Sequence, residues 1–225
     1  MKNEMSGNPW NYFAETRDCL YTAGAHRPGF HGDINLINLV ESILPKCYAF
    51  IETGTYHGCT AYYVSANFHR KVYTCDPSEE ANIISRENLK KFGNEVVQFN
   101  SDSLSMLRSI IETDKNIIQE FCLFWLDGHG DDRNSGPLLD ELDFIFSNFK
   151  NCCVIIDDVV VPGTKSFVLG DQFDFDWFKS KIPESYSVQF PTDYEKSGYA
   201  HVGYAVVSNS KDRIEQPFLR EENCD

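Results

Sequence analysis

The stretch AFIETGTYHG, from Ala49 to Gly58, decides the fold. Its short apolar run ends in an acid, Glu52, and then breaks into a turn at Gly54 and Gly58. This pattern is typical of a buried parallel strand that leads through a ligand-binding turn into a helix. Three later stretches also end an apolar run in an acid: KVYTCDP (71–77), FCLFWLDGH (121–129) and CCVIIDD (152–158). Because ligands of open α/β sheets bind outside the carboxyl ends of the strands, the functional site is predicted at this edge.

Strands and helices alternate along the chain from Cys47 onward, which predicts right-handed crossovers and a parallel sheet. The predicted helices include one over residues 59–68, directly after the glycine turn, and one over residues 173–181. Near the end, the alternating segments SYSVQF (185–190) and HVGYAVVS (201–208) predict an antiparallel hairpin. The predicted fold class is therefore α/β, a Rossmann-like doubly wound sheet of about seven strands with helices on both faces. Three regions are expected: a helical cap over 1–46, the Rossmann-like domain over 47–209 and a frayed acidic tail over 210–225.

The composition indicates one globular domain. The 225 residues are 42% hydrophobic and carry a formal net charge of -14, which disfavours contact with nucleic-acid phosphates and anionic membranes. The cysteines include no C-x-x-C pair and residues 1–9 are polar, so we interpret the cysteines as reduced thiols of a cytoplasmic protein. No apolar run approaches the roughly 18 residues that span a bilayer. Whether the chain forms a homo-oligomer is left open by the pattern.

The N-terminal region contains two helix-like segments joined by a loop. The first lies around residues 10–21, and the second covers residues 33–44, opens on a capping aspartate and stops before Pro45. The loop between them, AGAHRPGFHGD (23–33), carries His26 and His31. Either histidine could reach a ligand, but in such a glycine- and proline-rich loop we expect solvated side chains instead.

The strand ends provide what a nucleoside cofactor needs: a close backbone approach at one strand and an acid for the ribose hydroxyls at the next. The glycine turn meets the first need, and Asp76, 22 residues after Gly54, meets the second. This spacing suits a nicotinamide dinucleotide or S-adenosylmethionine. A dinucleotide requires G-x-G-x-x-G, whose middle position holds Tyr56 here, so S-adenosylmethionine is favoured. Asp102 and Ser103 either contact the adenine end of the cofactor or cap the helix that follows them.

A metal site is predicted where the later strands end. Asp127, Asp157 and Asp158 bring three carboxylates to one edge, and like charges repel unless a cation neutralises them. Oxygen ligands favour a hard divalent ion, Mg²⁺ rather than Ca²⁺, although some of these acids could instead cap helices or face water. A bound Mg²⁺ would hold a substrate hydroxyl, lower its pKa and orient its oxygen. His129 would then act as general base, unless it is structural.

The ordered motifs resemble those of class I S-adenosylmethionine-dependent methyltransferases, and within them the metal-dependent O-methyltransferases related to macrocin O-methyltransferase and the cephalosporin hydroxylase-like group. IETGTYHGCT (51–60) is similar to the first cofactor motif of that family, and the aspartate of VYTCDP to its ribose acid. The resemblance covers residues 47–163 and implies a seven-stranded sheet with an antiparallel last strand. It implies that the following residues bind the cofactor: Glu52, Gly54, Thr55, Gly58, Thr60, Asp76, Asp102, Ser103 and Asp127.

The family's D-G-x-H, helix and D-D arrangement is similar to WLDGH (125–129), PLLDELDFI (137–145) and VIIDDV (154–159). The resemblance implies that the metal is bound by Asp127, Asp157 and Asp158 and that Asp127 and His129 are catalytic. The chain departs from the usual D-G-D-H, because His129 lies one position nearer Asp127. The missing second acid would have to be replaced by Asp131 or Asp132.

The predicted function is methyl transfer from S-adenosylmethionine to a hydroxyl of a small molecule, such as a sugar or a natural product, assisted by Mg²⁺. One alternative is a methyltransferase in which the acids serve only the fold and the cofactor, without a metal. Another is a non-catalytic module that keeps the Rossmann-like fold and the cofactor. A dehydrogenase is disfavoured by Tyr56 in the glycine turn.

Overall fold

The structure is a computed structural model and describes residues 29–128, 136–163, 173–192, 203–210, 214 and 216–222. Within these residues nine strands form one mixed sheet: β1 (Ala49–Thr53), β2 (Lys71–Cys75), β3 (Val96–Phe99), β4 (Phe121–Leu126), β5 (Asn151–Val160), β6 (Phe173–Asp174), β7 (Ser187–Pro191), β8 (Gly203–Ser208) and β9 (Leu219–Glu222). The helices are α1 (Ile34–Ile43), α2 (Cys59–Phe68), α3 (Glu79–Leu89), α4 (Ser103–Thr113), α5 (Leu138–Asn148) and α6 (Phe175–Phe178). The predicted α/β class is confirmed.

The strand order in the sheet is β3-β2-β1-β4-β5-β8-β7-β9, and the short β6 pairs with the end of β5. Strand β1 lies between β2 and β4 and is parallel to both. The chain therefore winds outward in two directions from β1 and β4, which leaves a crevice at their carboxyl ends. Strands β7 and β8 form the predicted antiparallel hairpin, and β8 is also antiparallel to β5.

Each face of the sheet carries its own apolar core. On the first face, helices α4, α5 and α6 pack over residues such as Ile51. On the second face, helices α1 and α2 pack over Phe50 and Trp125. Because successive strand residues point to opposite faces, Glu52 lies on the second face with Phe50, and Asp127 follows Trp125 there. The second face therefore delivers acidic side chains to the crevice.

The second predicted N-terminal helix is confirmed as α1. The Asp33 side chain caps it, because Oδ1 accepts hydrogen bonds from the backbone N–H groups of Asn35 and Leu36, both at 2.9 Å. Leu36 and Val40 then pack into the core of the second face. The predicted helix around residues 10–21 and His26 lie outside the described residues.

Two stretches near the C-terminus differ from the prediction. The helix predicted over 173–181 begins later than expected: residues 173–174 form β6, and Asp174 then caps α6 by accepting from Trp177 N at 2.9 Å. The tail predicted to fray contains β9, which pairs antiparallel with β7 and places Leu219 opposite Pro191. Pairing with an exposed strand edge satisfies the backbone of β9, which its polar sequence does not indicate.

The six described cysteines are free thiols, and all but Cys59 are buried. Burial raises the pKa of Cys47 and of Cys152 to about 12, which keeps both thiols uncharged at neutral pH. These are the core thiols that the sequence predicts. Among the described helices, none has both the length and the apolar character needed to cross a membrane.

Candidate active site

The turn after β1 approaches the end of β4 so closely that only glycine fits. Gly54 has a φ of 87°, and a Cβ atom there would lie 2.3 Å from the backbone oxygen of Asp127. The N–H groups of Gly54 and Thr55 donate to the carbonyl of Cys75 at the end of β2, at 3.0 and 2.9 Å. Gly58, with a φ of 80°, then opens α2. The turn is thus held between the ends of β2 and β4.

Asp76 binds this turn directly. Its Oδ2 accepts from Tyr56 N and its Oδ1 accepts from Ser78 N, each at 2.8 Å. An ionised carboxylate offers about four acceptor positions, so two positions remain beyond these bonds. The structure places Asp76 where the sequence predicts an acid for ribose hydroxyls, at the second strand end and beside the glycine turn.

Tyr56 occupies the position that a dinucleotide-binding turn reserves for glycine. Its φ is 45°, an uncommon value for a residue with a side chain, and the residue is 56% exposed. The ring stacks on that of His57, with centroids 3.8 Å apart. The backbone strain is opposed by the hydrogen bond from Tyr56 N to Asp76.

Beneath the turn lies a buried chain of polar groups. Glu52 accepts from the Thr74 hydroxyl at 2.6 Å, and that hydroxyl is hydrogen-bonded in turn to Thr55 Oγ1. Burial raises the pKa of Glu52 well above its usual range. The hydrogen bond from Thr74 lowers this pKa, and the negative charge of Asp127 raises it further. Glu52 and Thr55 thus support the turn from below, and their contact with a cofactor stays a prediction.

Thr60 and Asp102 also have structural partners. The Thr60 hydroxyl accepts from Phe30 N at 3.3 Å and so fastens α2 to the N-terminal segment. Asp102 caps α4, because it accepts from the backbone and the hydroxyl of Ser105 at 2.8 and 2.7 Å. The helix-capping alternative for Asp102 is therefore confirmed, while contact with adenine stays a prediction.

A buried carboxyl that none of the sequence motifs indicates lies beside the site. Glu141, in the first turn of α5, is fully buried, and its neighbours are the Thr53 and Ser103 hydroxyls. Burial raises the pKa of Glu141 to about 7, although the two hydroxyls lower it. Within the described residues none of these side-chain oxygens makes a hydrogen bond of strict geometry.

The group of side chains that could hold a metal ion differs from the predicted set in one residue. Leu126 of β4 pairs with Ile156 of β5, so the next residues, Asp127 and Asp157, lie side by side. His31 completes the group: its Nε2 is 2.6 Å from Asp157 Oδ2 and 3.3 Å from Asp127 Oδ2. One ligand atom from each of the three residues lies within 4.8 Å of the others. We name this group the His31 triad.

The expectation of a solvated His31 is wrong. Its side chain is only 18% exposed and lies between two carboxylates. Burial alone lowers the pKa of His31, but the charges of Asp157 and Asp127 and their hydrogen bonds raise it well above its usual range. A proton on His31 therefore partly offsets the negative charge, and a divalent cation could replace that proton.

Asp158, the third predicted metal ligand, is not one of the triad. It has a φ of 56° and lies where a β-bulge shifts the register of β5 against β8, between Ile156 and Val159. The predicted base His129 and the two substitute acids, Asp131 and Asp132, lie outside the described residues. The carboxylates of Asp127 and Asp157 are the part of the predicted metal site that the structure brings together.

Several solved structures have the same fold. An O-methyltransferase from Bacillus cereus, in complex with S-adenosylhomocysteine, is 14% identical with a TM-score of 0.59, over 88% of this chain and 90% of that one. The O-methyltransferase TomG from Streptomyces achromogenes, involved in tomaymycin synthesis and in complex with S-adenosylmethionine, is 11% identical with a TM-score of 0.56, over 92% and 90%. The [4+2]-cyclase SpnF is 10% identical with a TM-score of 0.55, over 88% and 91%. No protein-family model matches the sequence, and no curated protein matches it.

Proposed function

We propose that this chain, which has the fold of class I S-adenosylmethionine-dependent methyltransferases, is an S-adenosylmethionine-dependent O-methyltransferase. Its acceptor would be a hydroxyl of a small molecule, such as a sugar or a natural product. A divalent metal ion at the His31 triad would assist the reaction, and Mg²⁺ is the ion that the sequence motifs predict. The position of Asp127 carries the proposal: its backbone oxygen packs against Gly54 in the cofactor turn, and its carboxylate belongs to the triad.

Cofactor binding would use the turn and the acid beside it. Gly54 and Gly58 carry no side chain, which is what the close approach of a cofactor to the backbone of this turn requires. Asp76 keeps two acceptor positions for ribose hydroxyls after its bonds to Tyr56 and Ser78. The crevice between β1 and β4 is where ligands of such sheets bind. The cofactor complexes of the Bacillus cereus enzyme and of TomG support this assignment.

The chain would bring the acceptor and the methyl group together at one end of the crevice. His31, Asp127 and Asp157 would hold the ion, whose chemistry is that of a Lewis acid that lowers the pKa of the acceptor hydroxyl. Phe30 and Trp125 are fully buried behind His31 and exclude water from that side. The acceptor oxygen would form a bond to the methyl carbon as the carbon–sulfur bond breaks, and its proton would pass to a base. His129, two residues after Asp127, stays the predicted base.

Two alternatives for this chain would use the same fold without a metal ion at the triad. SpnF has it and is a cyclase, so the fold alone does not define the chemistry. A chain that binds the cofactor without transferring its methyl group would need no ion at the triad. A methyltransferase without a metal would need the triad only as an ion pair between His31 and the two aspartates.

The test is turnover with and without metal. The full chain is incubated with S-adenosylmethionine and a panel of hydroxylated small molecules, and S-adenosylhomocysteine is quantified by mass spectrometry. We expect product with a divalent ion and its loss in EDTA. Asp176→Asn, which changes an exposed acid of α6, serves as the control and should behave like the wild type. Turnover that survives EDTA would indicate the metal-free enzyme, and bound cofactor without turnover would indicate the non-catalytic module.

A further inference from the structure

We infer that the His31 triad is selective for a first-row divalent ion of the d block, such as Mn²⁺, Co²⁺ or Zn²⁺, over Mg²⁺, and that His31 is its nitrogen ligand. Mg²⁺ takes oxygen ligands and keeps several waters, whereas imidazole suits ions such as Zn²⁺, and the affinity of mixed nitrogen and oxygen sites rises along the first row from Mn²⁺ to Co²⁺. One nitrogen and two carboxylates therefore change the expected ion. The inference rests on the metal site of the proposed function, but it does not depend on methyl transfer.

The distances within the triad suit two or three ligands of one ion. Bonds of about 2.1 Å at right angles place ligand atoms about 3.0 Å apart. His31 Nε2 is 2.6 Å from the Asp157 oxygen and 3.3 Å from the Asp127 oxygen, on either side of that value. The same nitrogen thus faces both carboxylates, and one ligand atom from each of the three residues lies within 4.8 Å of the others, so the three side chains converge on one point where an ion would bind.

The backbone that carries His31 is strained, and packing holds it in place. Phe30 and His31 have φ values of 54° and 53°, in the left-handed region that residues with a side chain rarely adopt. The Phe30 ring is fully buried and makes edge-on contacts with Phe50, Tyr63 and Trp125, with centroids 5.3 to 6.1 Å apart. The buried ring therefore acts as an anchor for the histidine next to it.

Hydrogen bonds fix both sides of the same turn. Phe30 N donates to the Thr60 hydroxyl of α2, and Phe30 O accepts from Asp33 N at 3.0 Å. Asp33 in turn caps α1. The imidazole is consequently presented to Asp127 and Asp157 by two helices and a buried ring. Strain of this kind is typical of functional sites, where it pre-organises a ligand.

The partner strand is distorted at the same place. The β-bulge in β5 lies between Ile156 and Val159, and Asp158 within it has a positive φ of 56°. Bulges re-aim side chains next to active sites. Asp157 is only 3% exposed in this bulge and contacts His31. Positive φ values thus occur at His31 and directly after Asp157, where these two side chains meet.

The test measures metal binding itself. The full chain is freed of metal with EDTA and titrated calorimetrically with Mn²⁺, Co²⁺, Zn²⁺ and Mg²⁺, and the Mn²⁺ complex is examined by pulsed electron paramagnetic resonance for coupling to a histidine nitrogen. We expect the transition ions to bind at least about tenfold more tightly than Mg²⁺, with Mn²⁺ the weakest of the three. We also expect nitrogen coupling in the wild type.

Two variants test whether the His31 imidazole itself binds the metal ion. His31→Asn keeps a residue that tolerates positive φ but removes the imidazole, so transition-ion affinity should fall by at least about tenfold while Mg²⁺ affinity changes little. The nitrogen coupling should disappear with it. His69→Asn is the matched control, because His69 also has a positive φ, 49°, and its side chain is 77% exposed; it should bind metal like the wild type. Circular dichroism checks that both variants fold.

Three outcomes would overturn the inference: Mg²⁺ binding as tightly as the transition ions, nitrogen coupling that survives in His31→Asn, or no metal binding at all. The last would mean that His31 serves as an ion-pair partner of the two aspartates. Titration with S-adenosylhomocysteine in EDTA distinguishes these results from failure of the proposed function, because cofactor binding does not require the ion.

Discussion

Replacement of Glu141 by glutamine should make the protein more stable at alkaline pH than the wild type. The side chain is fully buried in α5, and its carboxyl has a pKa of about 7 against a usual 4.5. Because the folded-state pKa is raised, the contribution of this carboxyl to stability is complete below about pH 4.5, declines above it, and has been lost once the pH exceeds about 7. The full loss corresponds to about 3 kcal/mol. Glutamine is close in shape and never ionises, so the variant avoids this loss.

The assay is urea denaturation of the wild type and Glu141→Gln at about pH 5.5 and pH 8.5. The wild type loses about 1.4 kcal/mol of stability for each pH unit between pH 5.5 and the pKa of Glu141, which is about 7. The stability of the variant relative to the wild type should therefore rise by about 2 kcal/mol between the two pH values. Glu184→Gln, which removes the same charge from an exposed position, should stay within about 0.5 kcal/mol of the wild type at both pH values. A difference between Glu141→Gln and the wild type that does not change with pH would refute the reasoning.

Three further predictions concern the crevice. Gly54→Ala should lower the free energy of unfolding by about 2–5 kcal/mol in urea denaturation, because the added Cβ would meet the Asp127 carbonyl. Gly93→Ala, also at positive φ but with open space around the added Cβ, should lose less stability. Equal losses in the two variants would show that the Asp127 carbonyl is not the cause. Asp76→Asn should weaken S-adenosylhomocysteine binding by about 10- to 100-fold in calorimetry, and unchanged affinity would exclude the ribose role. Asp157→Asn should abolish the metal-induced rise in melting temperature yet retain cofactor binding; a persisting metal response would locate the ion elsewhere.

The local signals in the sequence are sufficient for the elements that surround the crevice. Helix α2 has the predicted bounds, Cys59–Phe68, because Gly58 opens it after an apolar strand. Asp127 and Asp157 were predicted to converge because each follows an apolar run, and parallel strands end at one edge. This kind of prediction requires only the alternation of strands and helices.

His31 and Glu141 needed information that local patterns lack. His31 lies 96 residues before Asp127, in a glycine-rich turn whose hydrogen bonds and buried Phe30 become apparent only in three dimensions. Glu141 did leave a signal. It falls on the buried stripe of α5 with Leu138, Leu142 and Ile145, and an acid in such a stripe indicates a buried carboxyl. The sequence of β9 gives no comparable signal, because it is polar and the strand forms only by pairing with β7 at the edge of the sheet.

Calorimetric titration of the full chain with S-adenosylhomocysteine, first with a divalent ion and then with EDTA, tests the cofactor site most directly. Saturable binding of one molecule per chain in both conditions is the predicted result, because the glycine turn and Asp76 do not depend on the ion. Absence of binding in both conditions, by protein that unfolds cooperatively, would contradict the account and leave the acids at the strand ends without a cofactor to serve.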